Sequence, residues 1–130
     1  MAESNATIIT TARRELLCKA ASGEAETIPA ITKVAFGSGG VDSDGVVIVP
    51  SADQQELHNE VGRYPIDGVT YPVSTTARYK VTIPAADLEG AAISEVALVD
   101  SEGTLCAIRN ILPKGKDAGV ALIFTFDDEF

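Results

Sequence analysis

ISEVALVDSEGTLCAIRNI, residues Ile93–Ile111, is the stretch whose reading decides the fold. Two apolar runs flank Asp100-Ser101-Glu102-Gly103. Asp and Ser can bond their own backbone in a tight turn, and glycine takes the left-handed conformation that closes one. Val96, Leu98 and Val99 enter the turn; Leu105, Ala107, Ile108 and Ile111 leave it. The pattern predicts a β-hairpin with one residue out of keeping, Glu95. A buried, unpaired carboxylate is costly, so Glu95 must be exposed, neutralised or paired. Arg13, Arg14, Arg78 and Arg109 are the candidate partners. Buried on an arginine, Glu95 would fix the register of helix against sheet, or of one subunit against the next. A structural ion pair is favoured over catalysis, because general acid–base chemistry calls for a second positioned group in a cleft, and none is identifiable.

On the C-terminal side, Pro113–Gly119 reads as an exposed connection and Val120–Phe126 (VALIFTF) as a last strand. The acidic tip Asp127-Asp128-Glu129-Phe130 follows, either a solvated end or a tail for a basic partner. On the N-terminal side, Pro84–Gly90 is a loop, and Val69–Ile83 has strand character with Tyr71, Val73, Tyr79, Val81 and Ile83 spaced for pairing. Asp67-Gly68 is a turn signal, and Pro72 points to an edge or a strand start. Leu57–Arg63 fits a strand or one helical turn. Ile28–Phe36 reads as a strand broken by Gly37-Ser38-Gly39-Gly40; Asp42–Gly45 is turn-rich, Val46–Val49 a short apolar run and Pro50–Gln55 polar.

A helix is predicted from about Thr11 to Ser22, where Ile9, Ala12 or Arg13, Leu16, Leu17, Ala20 and Ala21 recur at helical spacing. Thr10 or Thr11 can cap its start, and Gly23 is placed to stop it. Arg13 and Arg14 fall in the first turn, where the helix dipole disfavours cations by a few tenths of a kcal/mol to about 1 each. They are solvated, or they meet acids on this or another chain. Met1–Ala6 reads as a loose end. The sum is an α+β protein, mainly antiparallel strands with one N-terminal helix packed on the sheet, in a single domain over residues 1–130.

Composition narrows the function. Of 130 residues, 45% are hydrophobic, with no Trp, so the core must be built from Val, Ile, Leu and Ala. A net charge of −9 speaks against nucleic-acid binding, which needs a basic face, and against adhesion to an anionic membrane. No stretch approaches the roughly 18 apolar residues of a membrane span, and MAESNATIIT lacks the basic start and apolar run of a signal peptide. Cys18 and Cys106 lack ligand spacing and read as reduced, buried thiols. His58 is the only histidine, so no histidine pair can hold a metal. Gly37–Gly40 lacks the GK[ST] that grips a phosphate, and Asp42-x-Asp44-Gly45 lacks the further ligands of a calcium loop. Neither a cofactor, a metal nor a catalytic residue is expected. There is no repeat or heptad register from which to build a fibre shaft.

The order of segments resembles the N-terminal domain of phage tail-collar fibre proteins, found at the distal end of contractile phage tails and related bacteriocin particles. The opening IITTARRELLCKAASGEAETIPAITKVAFGSGG is similar to the family's "T-x-A-G" helix start, Ala-rich helix and strand ending in "G-x-G-G". Leu57-His58-Asn59-Glu60-Val61 resembles its "L-x-N-E" segment, and Val81-Thr82-Ile83-Pro84 its "V-x-I-P" strand. Ile93 to Asp100 with Glu102-Gly103-Thr104-Leu105 resembles its "I-x-E-[IV]-G-L-[FY]-D…D-G-x-L" hairpin. Arg13, Ala97 and Val99 depart from the pattern, where the family usually carries Gly, Gly and an aromatic, and Val41–Pro50 differs from the usual Pro-rich loop.

The resemblance implies a non-enzymatic virion structural protein, made in the host bacterial cytoplasm and built into the tail or baseplate. It would anchor a fibre or receptor-binding element for host attachment. Implied partners are baseplate wedge proteins and a tail fibre or receptor-binding protein, with homotrimeric packing. Family members commonly continue into a shaft, so the chain is either a stand-alone anchoring domain or part of a longer fibre. Candidate interface or register residues are Arg13, Arg14, Glu95, Asp127, Asp128 and Phe130. The alternative is a small carbohydrate- or cell-surface-binding module of the tail tip, which would use Tyr64, Tyr71 or Tyr79, two of them followed by prolines and so expected in loops. A cell-wall hydrolase would need an aromatic-lined groove that nothing here implies.

Overall fold

The computed structural model describes residues 7–130; the predicted loose end Met1–Ala6 lies outside them. Seven strands and one helix follow in the order β1 (Thr7–Ile9), α1 (Thr11–Ala21), β2 (Ile31–Gly37), β3 (Glu60–Val73), β4 (Thr76–Ile83), β5 (Ala92–Asp100), β6 (Leu105–Gly115) and β7 (Leu122–Glu129). All pairs are antiparallel, in the spatial order β1-β6-β5-β2-β3-β4-β7. Mostly antiparallel strands with one short helix make the fold α+β, as expected.

The hairpin Ile93–Ile111 forms β5 and β6, and Leu98↔Ala107, Ala97↔Ile108 and Val96↔Arg109 face one another across it. Its turn is tied by Asp100, whose Oδ1 accepts from the Glu102 and Thr104 amides, both at 2.9 Å, while Gly103 adopts φ 87°. Alternation sends Val96, Leu98 and Ala107 to one side of the sheet and Ala97, Val99, Leu105 and Ile108 to the other, and all are buried. Both faces are therefore covered, which explains the nearly unbroken apolar run in β5.

The 14-residue β3 differs most from the expectation. Its first half, Glu60–Pro65, pairs with β2; its second half, Ile66–Val73, pairs with β4. Asp67-Gly68 is not a turn but lies inside this strand, at a register shift between Ile66 and Gly68. The reversal comes later, at Ser74-Thr75. A bulge accommodates an extra residue by bending the strand, and a turn-like dipeptide suits it as well as it suits a hairpin. Thr82 Oγ1 donates to Asp67 at 2.6 Å, giving that acid a partner within the sheet. The long strand passes the chain from one half of the sheet to the other. As a result Val81, Ile83 and Phe126 of β4 and β7 pack on Val34, Phe36, Val96 and Leu98 of β2 and β5. With no Trp, the centre is held by Phe36 against Phe124, ring centroids 5.0 Å apart.

Helix α1 starts at Thr10, which is fully buried. Its Oγ1 accepts from the Arg13 amide at 3.2 Å and donates to the Leu105 carbonyl at 2.7 Å, so one hydroxyl both caps the helix and fastens it to β6. Gly23, at φ 85°, follows the C-cap Ser22. Val46–Val49 is not a strand; it contributes a single bridge, Val41↔Val47, and leaves Val46 and Val49 exposed. The expected connection Pro113–Gly119 is partly strand, and within it Lys116 is buried, its Nζ donating to the Ala85 and Asp117 carbonyls at 2.9 and 3.1 Å.

The two thiols separate. Cys18 is exposed on α1, against the expectation of burial, and Cys106 is buried on β6. Burial, with the Asp100 carboxylate close by, pushes the Cys106 thiol up to about 12. Titration with a disulfide reagent at pH 8 should therefore show one fast thiol per chain, the second appearing only on unfolding. Two fast equivalents would mean that the β6 face opens in solution.

Candidate functional site: a clasped carboxylate and a buried ion pair

Glu95 is fully buried, yet no arginine reaches it. Its Oε1 accepts from the amides of Gly39 (2.9 Å) and Asn59 (3.0 Å), and its Oε2 from the amide of His58 (2.7 Å). The expected arginine pairing is thus replaced by three backbone donors, which satisfy a buried carboxylate without a counter-charge. His58 Nδ1 lies 4.0 Å from Oε2 and 3.2 Å from the Gly39 carbonyl, so the one histidine covers the clasp.

The clasp depends on glycine. A Cβ on Gly37 would meet Glu95 Oε1 and the Asn59 carbonyl, and one on Gly39 would come within 2.7 Å of His58 Cβ. Gly40 donates to Ser94 Oγ at 2.9 Å, and a Cβ there would collide with the Ser94 carbonyl. Gly37-Ser38-Gly39-Gly40 is needed for close approach of backbone to strand β5, not for a phosphate. Gly40→Ala should lower stability by about 1–3 kcal/mol, the usual cost of overpacking, measured by denaturant unfolding; an unchanged midpoint would show that the loop yields freely.

Arg13 takes the role first considered for Glu95. Its guanidinium makes a two-pronged pair with Asp128 of β7, Nη1–Oδ1 2.8 Å and Nη2–Oδ2 2.7 Å, with both residues buried. Burial alone would lower the Arg13 pKa, and the Asp128 carboxylate more than reverses this. The Phe130 ring lies 5.2 Å from the guanidinium, a cation–π contact at the end of the chain. Helix and last strand, 115 residues apart in sequence, are locked together here.

Asp127 points to the opposite face, where Arg78 takes it at 2.8 and 3.0 Å and holds its carboxyl below the usual carboxylate range. That contribution is present above the ordinary carboxylate pKa and lost as pH falls through the lowered folded-state value, and exposure to solvent keeps it small. The acidic tip is therefore mostly strand: Asp127 and Asp128 are engaged within the chain, and Glu129 and the Phe130 ring stay exposed. Arg14 is exposed on the outer face of α1. Sequence reasoning did not anticipate Arg109 as a residue of a cleft, nor buried Lys116. An arginine at an inward position of β6, between Ile108 and Asn110, is the signal that was present.

Three segments far apart in the chain thus meet at one carboxylate: Gly37–Gly40, Leu57–Glu60 and Ile93–Glu95. These are the segments that resemble tail-collar motifs. The family model for phage tail-collar fibre protein, N-terminal, matches residues 1–120. The chain belongs to that family. Searches of curated proteins and of solved structures found no match. In this tail-collar domain the motif glycines, the L-x-N-E amides and the hairpin Glu form one structural device. The polar contacts at Glu95 among the described residues are made with the chain's own backbone and with His58. Family membership places the protein among phage tail structural components.

Proposed function

We propose that this tail-collar domain is an attachment module that fixes a fibre or receptor-binding element to the baseplate of a contractile tail or related particle, as a homotrimer and without turnover. The observation that carries the reading is the match to the tail-collar family over residues 1–120. The reading is supported by a body clasped at Glu95 and locked at Arg13–Asp128, with β1 and β7 at the two edges of the sheet among the described residues. Open edges pair with added strands.

The glycan-binding alternative has less to work with. All three tyrosines lie in strands rather than loops. Tyr64 packs near Phe36 and donates to Asp87 at 3.1 Å, Tyr79 is half-buried, and Tyr71 alone is exposed.

The test is quantitative mass spectrometry of purified tail particles together with gold-labelled antibody against this chain. Label at the distal end, in a copy number divisible by three, is the expected result. Absence from intact particles would overturn the reading.

A further inference from the structure

The two ends of the sheet curl toward one another and leave a cleft with Arg109 in its wall. On one side the cleft is a cavity of about 370 Å³ lined by Val96, Ile111 and Lys114 on β5 and β6 and by Ile123, Phe124 and Phe126 on β7. On the other it is a cavity of about 440 Å³ between Thr7 and Ile9 of β1 and Asp127 and Glu129 of β7. Arg109 belongs to both.

Among the described residues three features of the cleft point to a partner, although Asp127 lines one cavity with Arg109 and feels its charge. First, it is flanked by an open strand edge: among the described residues β7 pairs only with β4. Second, the Arg109 Nε is buried with no hydrogen-bond acceptor. A buried donor left unmet is expensive, and native proteins seldom keep one. Third, among the described residues Arg109 and Lys114 are the only charged residues lining the smaller half, in a chain whose net charge is −9. On its wall Ile123 is 58% exposed.

We infer that this cleft accepts an extended segment of another tail protein, whose backbone adds to the open edge of β7 and whose Asp or Glu meets the Arg109 guanidinium. The inference rests on the docking function proposed above and names its surface and the partner's chemistry. Strand addition gives affinity through main-chain bonds, and side-chain pockets give specificity. Ile111, Ile123 and Phe124 supply the apolar pockets; Arg109 selects a carboxylate by a two-pronged pair. A second copy's β7 is a poor occupant. Run antiparallel about its centre, it would set Asp127 and Glu129 against Ile123 and Ala121, acid against apolar.

The test places a photo-crosslinking residue at Ile123, and at exposed Val49 as control, in chains assembled into tail particles. The expected result is a cross-link from Ile123 to a different tail protein, within a strand-like segment that carries Asp or Glu. Ile123 is solvent-exposed, so charge can be varied there without disturbing the core. Ile123→Glu should cut incorporation at least tenfold, Ile123→Lys much less, with thermal midpoints unchanged; Arg109→Gln should behave as Ile123→Glu. A silent Ile123 in particles that contain the chain would overturn this inference alone. So would a cross-link to a second copy, a cross-linked segment without an acid, or equal effects of the Glu and Lys variants. If the chain is absent from particles altogether, the inference falls together with the attachment reading.

Discussion

Glu95→Ala should be among the most destabilising single substitutions in this protein. It strands three amide donors, those of Gly39, His58 and Asn59, in a site where the carboxylate itself is fully buried. Each unmet buried donor costs about 1–3 kcal/mol. Because the three amides are only partly shielded, a total of about 4 kcal/mol is expected, against the roughly 5–15 kcal/mol that holds a typical domain folded. Glu95→Gln is the sharper experiment. A glutamine oxygen can still accept from Gly39 and Asn59, but its NH₂ then faces the His58 amide, donor against donor. Its loss should lie between zero and that of alanine. Urea unfolding of both variants measures this, and amide exchange at Gly39, His58 and Asn59 should quicken in the same order. If Glu95→Ala unfolds within 1 kcal/mol of the native chain, the clasp is ornamental and the three segments are held by something else.

Breaking the Arg13–Asp128 pair should cost about 3–5 kcal/mol, because removal of either partner leaves the other charge buried and alone. For a chain of this length that corresponds to a fall of roughly 10–20 °C in thermal midpoint. Arg13→Ala and Asp128→Ala should each show it. Replacing both, as Arg13→Met with Asp128→Leu, should recover most of the loss, since a buried ion pair and a well-packed apolar pair are often near equal in energy. The exposed Arg78–Asp127 pair is the internal control: the same chemistry at similar distance, but in solvent, so Arg78→Ala should cost far less than Arg13→Ala, and less still at high salt. Equal losses at the two pairs would show that burial does not set their strengths. A double replacement no better than the singles would mean that the site needs the charge itself, as a docking contact would.

Both results bear on assembly. If the domain anchors a fibre as proposed, load passes through its own body. The structure ties its first helix and last strand with a buried pair, and ties its two glycine- and amide-bearing loops to one carboxylate. The Phe130 ring, exposed beside Arg13, adds an apolar contact at the point where the chain ends its last strand.

Local chemistry was enough to read the hairpin, the helix with a cap at Thr10 or Thr11 and its Gly23 stop, the strand ending at the glycine run and the α+β class; the structure chose Thr10. Each rests on residues within a few positions of one another: turn formers, a cap, a period of two or of 3.6. The family resemblance was likewise legible, because its motifs are short and collinear. What the sequence could not show is which distant groups meet. A carboxylate in an apolar strand announces that a partner must exist, but three backbone amides leave no mark in side-chain identity, so an arginine was the natural guess for Glu95. The acidic tip looked like a tail because three acids in a row are usually solvated; only the pairing of β7 with β4 turns Asp128 inward to Arg13 and Asp127 outward to Arg78. Asp67-Gly68 read as a turn because bulge and turn ask for the same residues. The cleft at Arg109 belongs to neither β6 nor β7 alone. It arises where the curled sheet brings its ends together, and only the tertiary structure decides that.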